Sequence, residues 1–301
     1  MELLKQAQQL AITGICDGKI KPITNEDVRA LGNQLMVLHE IVRGPHVGIA
    51  LVALQRAGFF EYLIPEIRES LELKSSKRFK EIWPHTIRVV SQTPPVTILR
   101  WAALFHDLGK ARAFSIKNKK VTFHNHEKIS AQIFSAFAKR SRIFSQRQRD
   151  RIYFLVRNLG YVESYSSEWT DSAVRRFGKD IGNHLDDILT LSSADITTAN
   201  QAKKQKILDS IEELRERVLK IQEIDSKQNT LPKGLGNVIA KEFNVPFGPK
   251  IGDIRKKLES KITSHEISGG EDVQYYIDHL KKNVVDFDLS NTEYSSIQLM
   301  G

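Results

Sequence analysis

Apolar residues recur at helical spacing along almost the whole sequence, and no run sustains the strict alternation of a half-buried strand. That pattern confines the chain to an all-α architecture, in which amphipathic stretches bury their apolar faces against one another. The clearest stretch runs from about residue 200 to 223. There Ile207, Ile211, Leu214, Val218 and Ile221 follow at spacings of four, three, four and three. So narrow a seam suits a coiled coil, but two heptads are too few to require one, and a helix packed along its own domain is the better account. Residues 49 to 60 form a shorter amphipathic stretch, and Pro65 beyond it is expected to begin or end a helix. Thr24 or Asn25 is placed to cap a helix with Glu26 and Asp27 in its first turn. A polar break is expected at 225–229, followed by VPFGPK leading into a helix. That helix carries Ile251, Ile254, Leu258 and Ile262 on one face and Arg255, Lys256, Lys257 and Lys261 largely elsewhere.

Composition removes several classes of function. The hydrophobic fraction of 41% is far from a disordered chain. The longest apolar runs fall well short of a membrane span, and the opening MELLKQAQQLAITG lacks the apolar core of a secretory signal. Cys16, the single cysteine, excludes an intramolecular disulfide framework. A cytoplasmic protein without a membrane role is expected. The 45 basic residues exceed the 36 acidic ones, for a net charge of +9, which favours an anionic partner (nucleic acid, a nucleotide or an acidic membrane surface), although ordinary solvated surface accounts for part of the excess. The basic face of the 251–262 helix suits a phosphate backbone, and serves as well as a solvated surface.

Chemistry concentrates at residues 101–110, WAALFHDLGK, where an apolar helical run ends in adjacent His106 and Asp107, then Gly109 and Lys110. A neutral imidazole and a carboxylate are both good ligands for a divalent ion. As neighbours on a helix they diverge by about a quarter turn, so one ion reaches both only at that helix edge, with further ligands from other helices. His85, in WPHTI, and Asp195, in LSSAD, are available for this. Each alone reads as a capping or hydrogen-bonded residue. As an ordered set of His, His-Asp and Asp they point to a metal site.

The segments PHTIRVV, ALFHDLGKARAF, FHNHEKISAQIF, SAVRRFGKDIG and LSSADITTA resemble the HD domain of bacterial tRNA nucleotidyltransferases, the CCA-adding enzymes. HD domains are in general helical, metal-dependent phosphohydrolases. Residues 25 to 67 are similar to the neck and body that precede that domain, and VPFGPKIGDIRKKLE resembles the segment after it. The resemblance implies a neck- and body-like region at 1–75, an HD domain at 76–225 and a tail-like region at 226–301. It makes His85, His106, Asp107 and Asp195 metal ligands, with Asp107 central to catalysis, and places Lys110 against a phosphate oxygen. His126 and Glu127 match the family's Gly-His-Glu motif, with Asn125 in place of the glycine and Ser130 in place of a later one; His124 adds a nearby imidazole. Arg175 and Arg176 match a paired arginine, with Arg175 the candidate to clamp a substrate phosphate and the other to pair with a carboxylate of the fold, although a structural role suits each at least as well. Leu159 stands where two-metal HD enzymes bring a further histidine, so one tightly held ion is expected. Its ligands fit Mn, Fe, Co, Ni, Zn or, less well, Mg.

The family's nucleotidyltransferase head needs a Gly-Ser or Gly-Gly turn followed by Asp-x-Asp. The only Asp-x-Asp here, Asp286-Phe287-Asp288, has no glycine turn before it, and Glu26-Asp27-Val28-Arg29 brings its arginine one residue early for the family's base-reading motif. Nucleotide addition by this chain alone is therefore not expected. The expected function is metal-dependent hydrolysis of a phosphate ester at an RNA end, such as a 2′,3′-cyclic phosphate or 2′-phosphate, with tRNA or tRNA-like 3′ ends as partner. Hydrolysis of free nucleotides, and RNA binding on behalf of a separately encoded nucleotidyltransferase, are the alternatives.

Overall fold

The computed structural model describes residues 2–15, 22–24, 35–68, 82–117, 120–228 and 231–289. It is all-α, as the periodicity requires, and among the described residues the strands are confined to one short hairpin. The chain divides into two compact units, residues 1–170 with 176–215, and 171–175 with 216–301.

In the first unit the helices are α1 (Glu2–Thr13), α2 (Val37–Arg43), α3 (Val47–Arg56), α4 (Phe59–Leu63), α5 (Ile82–Gln92), α6 (Thr97–Phe105) and α7 (Lys110–Ala113). The hairpin β1 (Ser115–Lys117) and β2 (Lys120–Thr122) follows, with Ser115 opposite Thr122. Beyond it come α8 (His126–Ser141), α9 (Gln146–Glu163), α10 (Asp171–Ile181), a 3-10 turn (Gly182–His184) and α11 (Leu185–Asp195). Helix α10, through residues 171–175, and the long α12 (Gln201–Gln228) each contribute to both units.

Helix α6 is the centre of the first unit. Every residue from 99 to 108 is buried, which is the condition of a helix that is apolar all round. It packs against α2, α5, α8, α9 and α11. Trp101 and Phe105 join Phe134, Phe137 and Phe144 in one aromatic cluster, with Phe105 stacked on Phe137 at 5.2 Å and Trp101 edge-on to Phe144 at 5.1 Å. Such pairs add about 0.5–1.5 kcal/mol each beyond burial. Two buried polar groups fix the position of α6. Trp101 Nε1 donates to His39 Nδ1 at 2.9 Å, which leaves His39 Nε2 to donate to the Ile143 carbonyl at 2.8 Å. Arg100 donates to three backbone carbonyls, from Nε to Thr93 at 2.9 Å and from Nη1 to Val42 and Gly44 at 2.8 and 2.7 Å. It thereby satisfies carbonyls at the end of α2 that helix geometry leaves open.

Three expectations need comment. The stretch 49–60 is not one helix: α3 ends at Arg56 and Gly58, at φ +75°, turns the chain before α4 begins. Only glycine adopts that left-handed conformation without cost. The break expected at 225–229 does not begin at 225, because α12 continues to Gln228. Lys and Gln are good helix formers, and Asp225 there holds the guanidinium of Arg175. The helix start expected at Thr24 or Asn25 lies largely outside the described residues.

The second unit contains α13 (Leu235–Glu242), α14 (Pro249–Thr263) and α15 (Val273–Lys282). Ile251, Ile254, Leu258 and Ile262 are all buried, as their spacing requires. They pack in a core with Leu235, Ile239, Phe243, Tyr276 and Leu280. The Asp286-Phe287-Asp288 segment is an anchor of this core, since Phe287 is buried and Asp288 pairs with Lys250 at 3.6 Å.

Candidate metal centre

Helices α5, α6 and α11 each deliver donors to one point. His85 lies in the first turns of α5, whose entry carries Pro84. His106 and Asp107 follow the last residue of α6, and Asp195 is the last residue of α11. His85 Nε2 lies 3.3 Å from His106 Nε2, 3.4 Å from Asp107 Oδ2 and 2.9 Å from Asp195 Oδ1. His106 Nε2 lies 3.3 Å from both carboxylate oxygens.

These separations suit a shared cation. Two ligand atoms each roughly 2.1 Å from one ion stand about 3.0 Å apart at a right angle and about 3.4 Å apart at a tetrahedral one. The outer faces of both imidazoles are held by the protein. His106 Nδ1 donates to the Ala103 carbonyl at 2.7 Å, so in its neutral form Nε2 presents a lone pair inward. His85 Nδ1 meets the Thr197 hydroxyl at 3.0 Å. Holding the far ring nitrogen is how protein sites orient metal-ligating histidines. Asp195 Oδ1 is buried and close to both Nε2 atoms, yet neither ring aims an N–H at it. A buried oxygen in that condition fits cation sharing better than hydrogen bonding. The set is also half open: the side chains of His106 and Asp107 are 2% and 3% exposed, those of His85 and Asp195 20% and 16%. A closed floor with an open rim leaves coordination positions for water and substrate.

The electrostatics are those of a site built to hold positive charge. Burial disfavours a charged His106, but the Asp107 carboxylate outweighs it and raises the pKa well above the usual imidazole range. Burial likewise pushes the two carboxyls up, and the imidazoles, chiefly His106, more than reverse this and hold Asp107 and Asp195 well below the carboxylate range. At the rim, Lys110 Nζ lies 2.7 Å from Asp107 Oδ2, and His126 Nε2 lies 3.5 Å from Asp107 Oδ1. Burial lowers both pKa values and Asp107 overcomes it, so each is raised.

Residues 77–214 match the model of the HD domain. An HD domain is present. The chain is also 22% identical, over 251 residues, to the A-adding tRNA nucleotidyltransferase of Deinococcus radiodurans. That match covers 80% of this chain and 56% of the relative, so the chain spans little more than half the relative's length. HD domains bind divalent metal ions and imply metal-dependent phosphohydrolase chemistry. His85, His106 and Asp107, whose ligand atoms all lie within 4.8 Å of one another, are the cluster that would hold the ion here.

Two departures of this HD domain from the family's glycine pattern have structural explanations. Asn125, in place of a glycine, takes φ +60° immediately before α8, and asparagine is among the few side chains that adopt it readily. Ser130, in place of another, is fully buried and accepts the Gly109 N–H at 2.8 Å. Gly109 is itself required by close approach: a Cβ there would stand 2.3 Å from the His126 carbonyl oxygen. This contact seats the HD turn against α8 and brings His126 to Asp107. Leu159 is buried at 3% exposure. His124 is exposed.

Arg175 is engaged in the second unit, where Asp225 accepts from Nε at 2.7 Å and from Nη2 at 3.0 Å. Its geometry is that of a paired structural arginine. Sequence reasoning missed Thr197, which holds His85, and Glu163, at the end of α9. Burial and the neighbouring Asp195 charge raise the Glu163 pKa. No sequence motif marks either residue, although Thr197 stands two positions after Asp195.

Proposed function

We propose that this protein is a metal-dependent phosphohydrolase acting on phosphate esters at RNA ends, a 2′,3′-cyclic phosphate or 2′-phosphate among them. The observation that carries the reading is the convergence of His85, His106, Asp107 and Asp195 on one point that is closed beneath and open above. A divalent ion held by His85, His106, Asp107 and Asp195 would supply a lowered pKa for bound water and polarisation of a phosphoryl oxygen. The remaining work belongs to side chains. His106 and Asp107 fix the floor, with the His106 ring set by the Ala103 carbonyl. Lys110 stands at the rim, close enough to offset charge on the phosphoryl oxygens. His126, whose Nδ1 donates to the Phe123 carbonyl at 3.0 Å and whose pKa is raised beside Asp107, holds a proton at Nε2 for the departing oxygen.

The RNA end as substrate is supported by the likeness to a tRNA nucleotidyltransferase and by the net charge of +9. Residues 1–75 and 226–301 would then act as the neck- and body-like and tail-like regions that hold RNA, and the protein would work in the cytoplasm. The test is hydrolysis, with several divalent metals, read as ring opening to the monoester for tRNA ending in a 2′,3′-cyclic phosphate and for 2′,3′-cyclic AMP, as phosphate release for 2′-AMP, and as phenol release for a phenyl phosphodiester. Turnover of the tRNA end well above the small esters, lost in Asp107→Asn, is the expected result. Activity on nucleotides alone would make the substrate a free nucleotide. Silence across the panel with tRNA still bound would refute hydrolysis and leave an RNA-binding role.

A further inference from the structure

A cavity of about 690 Å³ opens beside Asp195, among the ends of α9 and α11 and the first turns of α12. Its size falls in the ~300–1,000 Å³ range of small-molecule sites. Its lining carries charge of both signs. Asp195 and Glu163 line one end, while Lys203 and Lys206 line the wall supplied by α12, with Tyr165 and Ile207 contributing apolar surface. At a spacing of three the two lysines share a helix face, and Asn200 Oδ1 fixes that first turn by accepting the Lys203 N–H at 3.0 Å. Both ammonium groups are exposed, and neither is ion-paired to a carboxylate among the described residues. Neither lysine is paired with Asp195 or Glu163, so both ammonium groups are available to a ligand. A divalent ion beside Asp195 would neutralise the carboxylates that hold it and offer open positions to a phosphate oxygen, so the cavity would have one phosphate-accepting site at the metal and another at the lysines, with Tyr165 and Ile207 also in its lining.

We infer that this cavity binds the nucleotide portion of the substrate, with Lys203 and Lys206 holding a second phosphate beyond the one at the metal centre. The inference rests on the phosphohydrolase reading for the role of the first phosphate. The ligand class is a nucleotide bearing two separate phosphates. An RNA 3′ end supplies one through its preceding phosphodiester, and a free nucleoside bisphosphate supplies the same groups. Tyr165 offers a ring on which a base can stack, a contact that tolerates any base.

The test is calorimetric binding, in EDTA and again with Mn²⁺, of three probes: adenosine 3′,5′-bisphosphate, adenosine 3′-monophosphate and a trinucleotide with a 3′-phosphate. Lys203→Ala and Lys206→Ala are each expected to weaken the bisphosphate about five- to tenfold, and the double change by about fiftyfold, the scale of charge-assisted hydrogen bonds at a partly exposed site. The monophosphate should change by less than about twofold in the same variants. Lys204→Ala, which removes the same charge outside the cavity, should leave all three probes unaffected. Tighter, lysine-dependent binding of the trinucleotide supports an RNA end, and lysine-dependent binding of the bisphosphate alone supports a free nucleotide. Equal weakening of mono- and bisphosphate, equal loss in Lys204→Ala, or no loss in the double variant overturns the inference. The two readings fail separately. Hydrolysis with lysine-independent binding sinks only the cavity assignment, and lysine-dependent binding without any hydrolysis sinks only the phosphohydrolase.

Discussion

Gly109→Ala tests how the HD turn is seated. Gly109 has φ −72° and ψ −15°, which any residue adopts, so the glycine is required for its missing Cβ alone. That Cβ would lie 2.3 Å from the His126 carbonyl oxygen, 2.6 Å from the Ser130 nitrogen and 2.9 Å from Ile129 Cβ. Ordinary contacts of this kind need roughly 3.5 Å, so about 1 Å must open between the turn and the first turn of α8. Two of the three atoms are backbone, and no side-chain rotation relieves them. Overpacking of this kind costs about 1–3 kcal/mol, and stretching the 2.8 Å bond from Gly109 N–H to Ser130 forfeits about 1 kcal/mol more.

For a unit of this size each kcal/mol moves Tm by about 2–4 °C, so a fall of roughly 4–16 °C is expected by calorimetry. The donors on α5, α6 and α11 do not depend on α8, whereas His126 does. Metal stoichiometry should therefore stay at the wild-type value while hydrolysis falls about a hundredfold, the scale of a 1 Å misplacement. An unchanged Tm would show that the close approach is not a constraint. Loss of metal together with activity would show that α8 positions the ligands and not only the rim.

Thr197→Val removes the partner of His85 Nδ1 and should weaken metal affinity about tenfold by competition with a chelating dye, against no change if the hydroxyl is incidental. His106, raised by Asp107 despite burial, stabilises the chelated protein below its ordinary value near 6.5, and that contribution is lost as pH climbs through the raised value. Asp107 and Asp195, held low, contribute above about pH 4 and lose this as pH falls toward their lowered values. The metal takes the place of the His106 proton, so the rise in Tm on adding Mn²⁺ should be larger at pH 8 than at pH 6, and the reverse order would refute proton–metal competition. Arg100→Met strands three carbonyls and should cost about 3 kcal/mol in urea unfolding, with turnover per folded molecule unchanged. Asn125→Gly should be neutral within a few tenths of a kcal/mol, whereas Asn125→Val, at φ +60°, should cost about 1–2 kcal/mol in the same assay.

Helix class and the position of the site were legible because both are written locally. The apolar period of α14 reports its buried face residue by residue, and His106 with Asp107 announces itself by adjacency at the end of a mostly apolar helix. The hairpin was not legible, since three-residue strands are too short to show alternation. His85 and Asp195 could be named as donors, but no pattern in the sequence brings His85 to Thr197, 112 positions away. The same limit applies to Arg175 and Arg176. Adjacent arginines look equivalent in a string, and it is Asp225, 50 residues on, that commits Arg175 to an ion pair.

The glycine positions show where reading by type fails and reading by cause succeeds. Gly109, Asn125 and Ser130 stand where the family pattern suggests glycine, and as letters two of the three are departures. The backbone at 125 needs a positive φ, which asparagine tolerates, so that departure changes little. Position 109 needs the absence of a Cβ, which no other residue supplies. Position 130 gains from a side chain, because a serine hydroxyl there accepts the N–H of the very glycine that cannot change. Asn125 and Ser130 therefore do not count against the site. They support the same turn by other means, and what they leave in place is the approach of His126 to Asp107 on which the proposed chemistry depends.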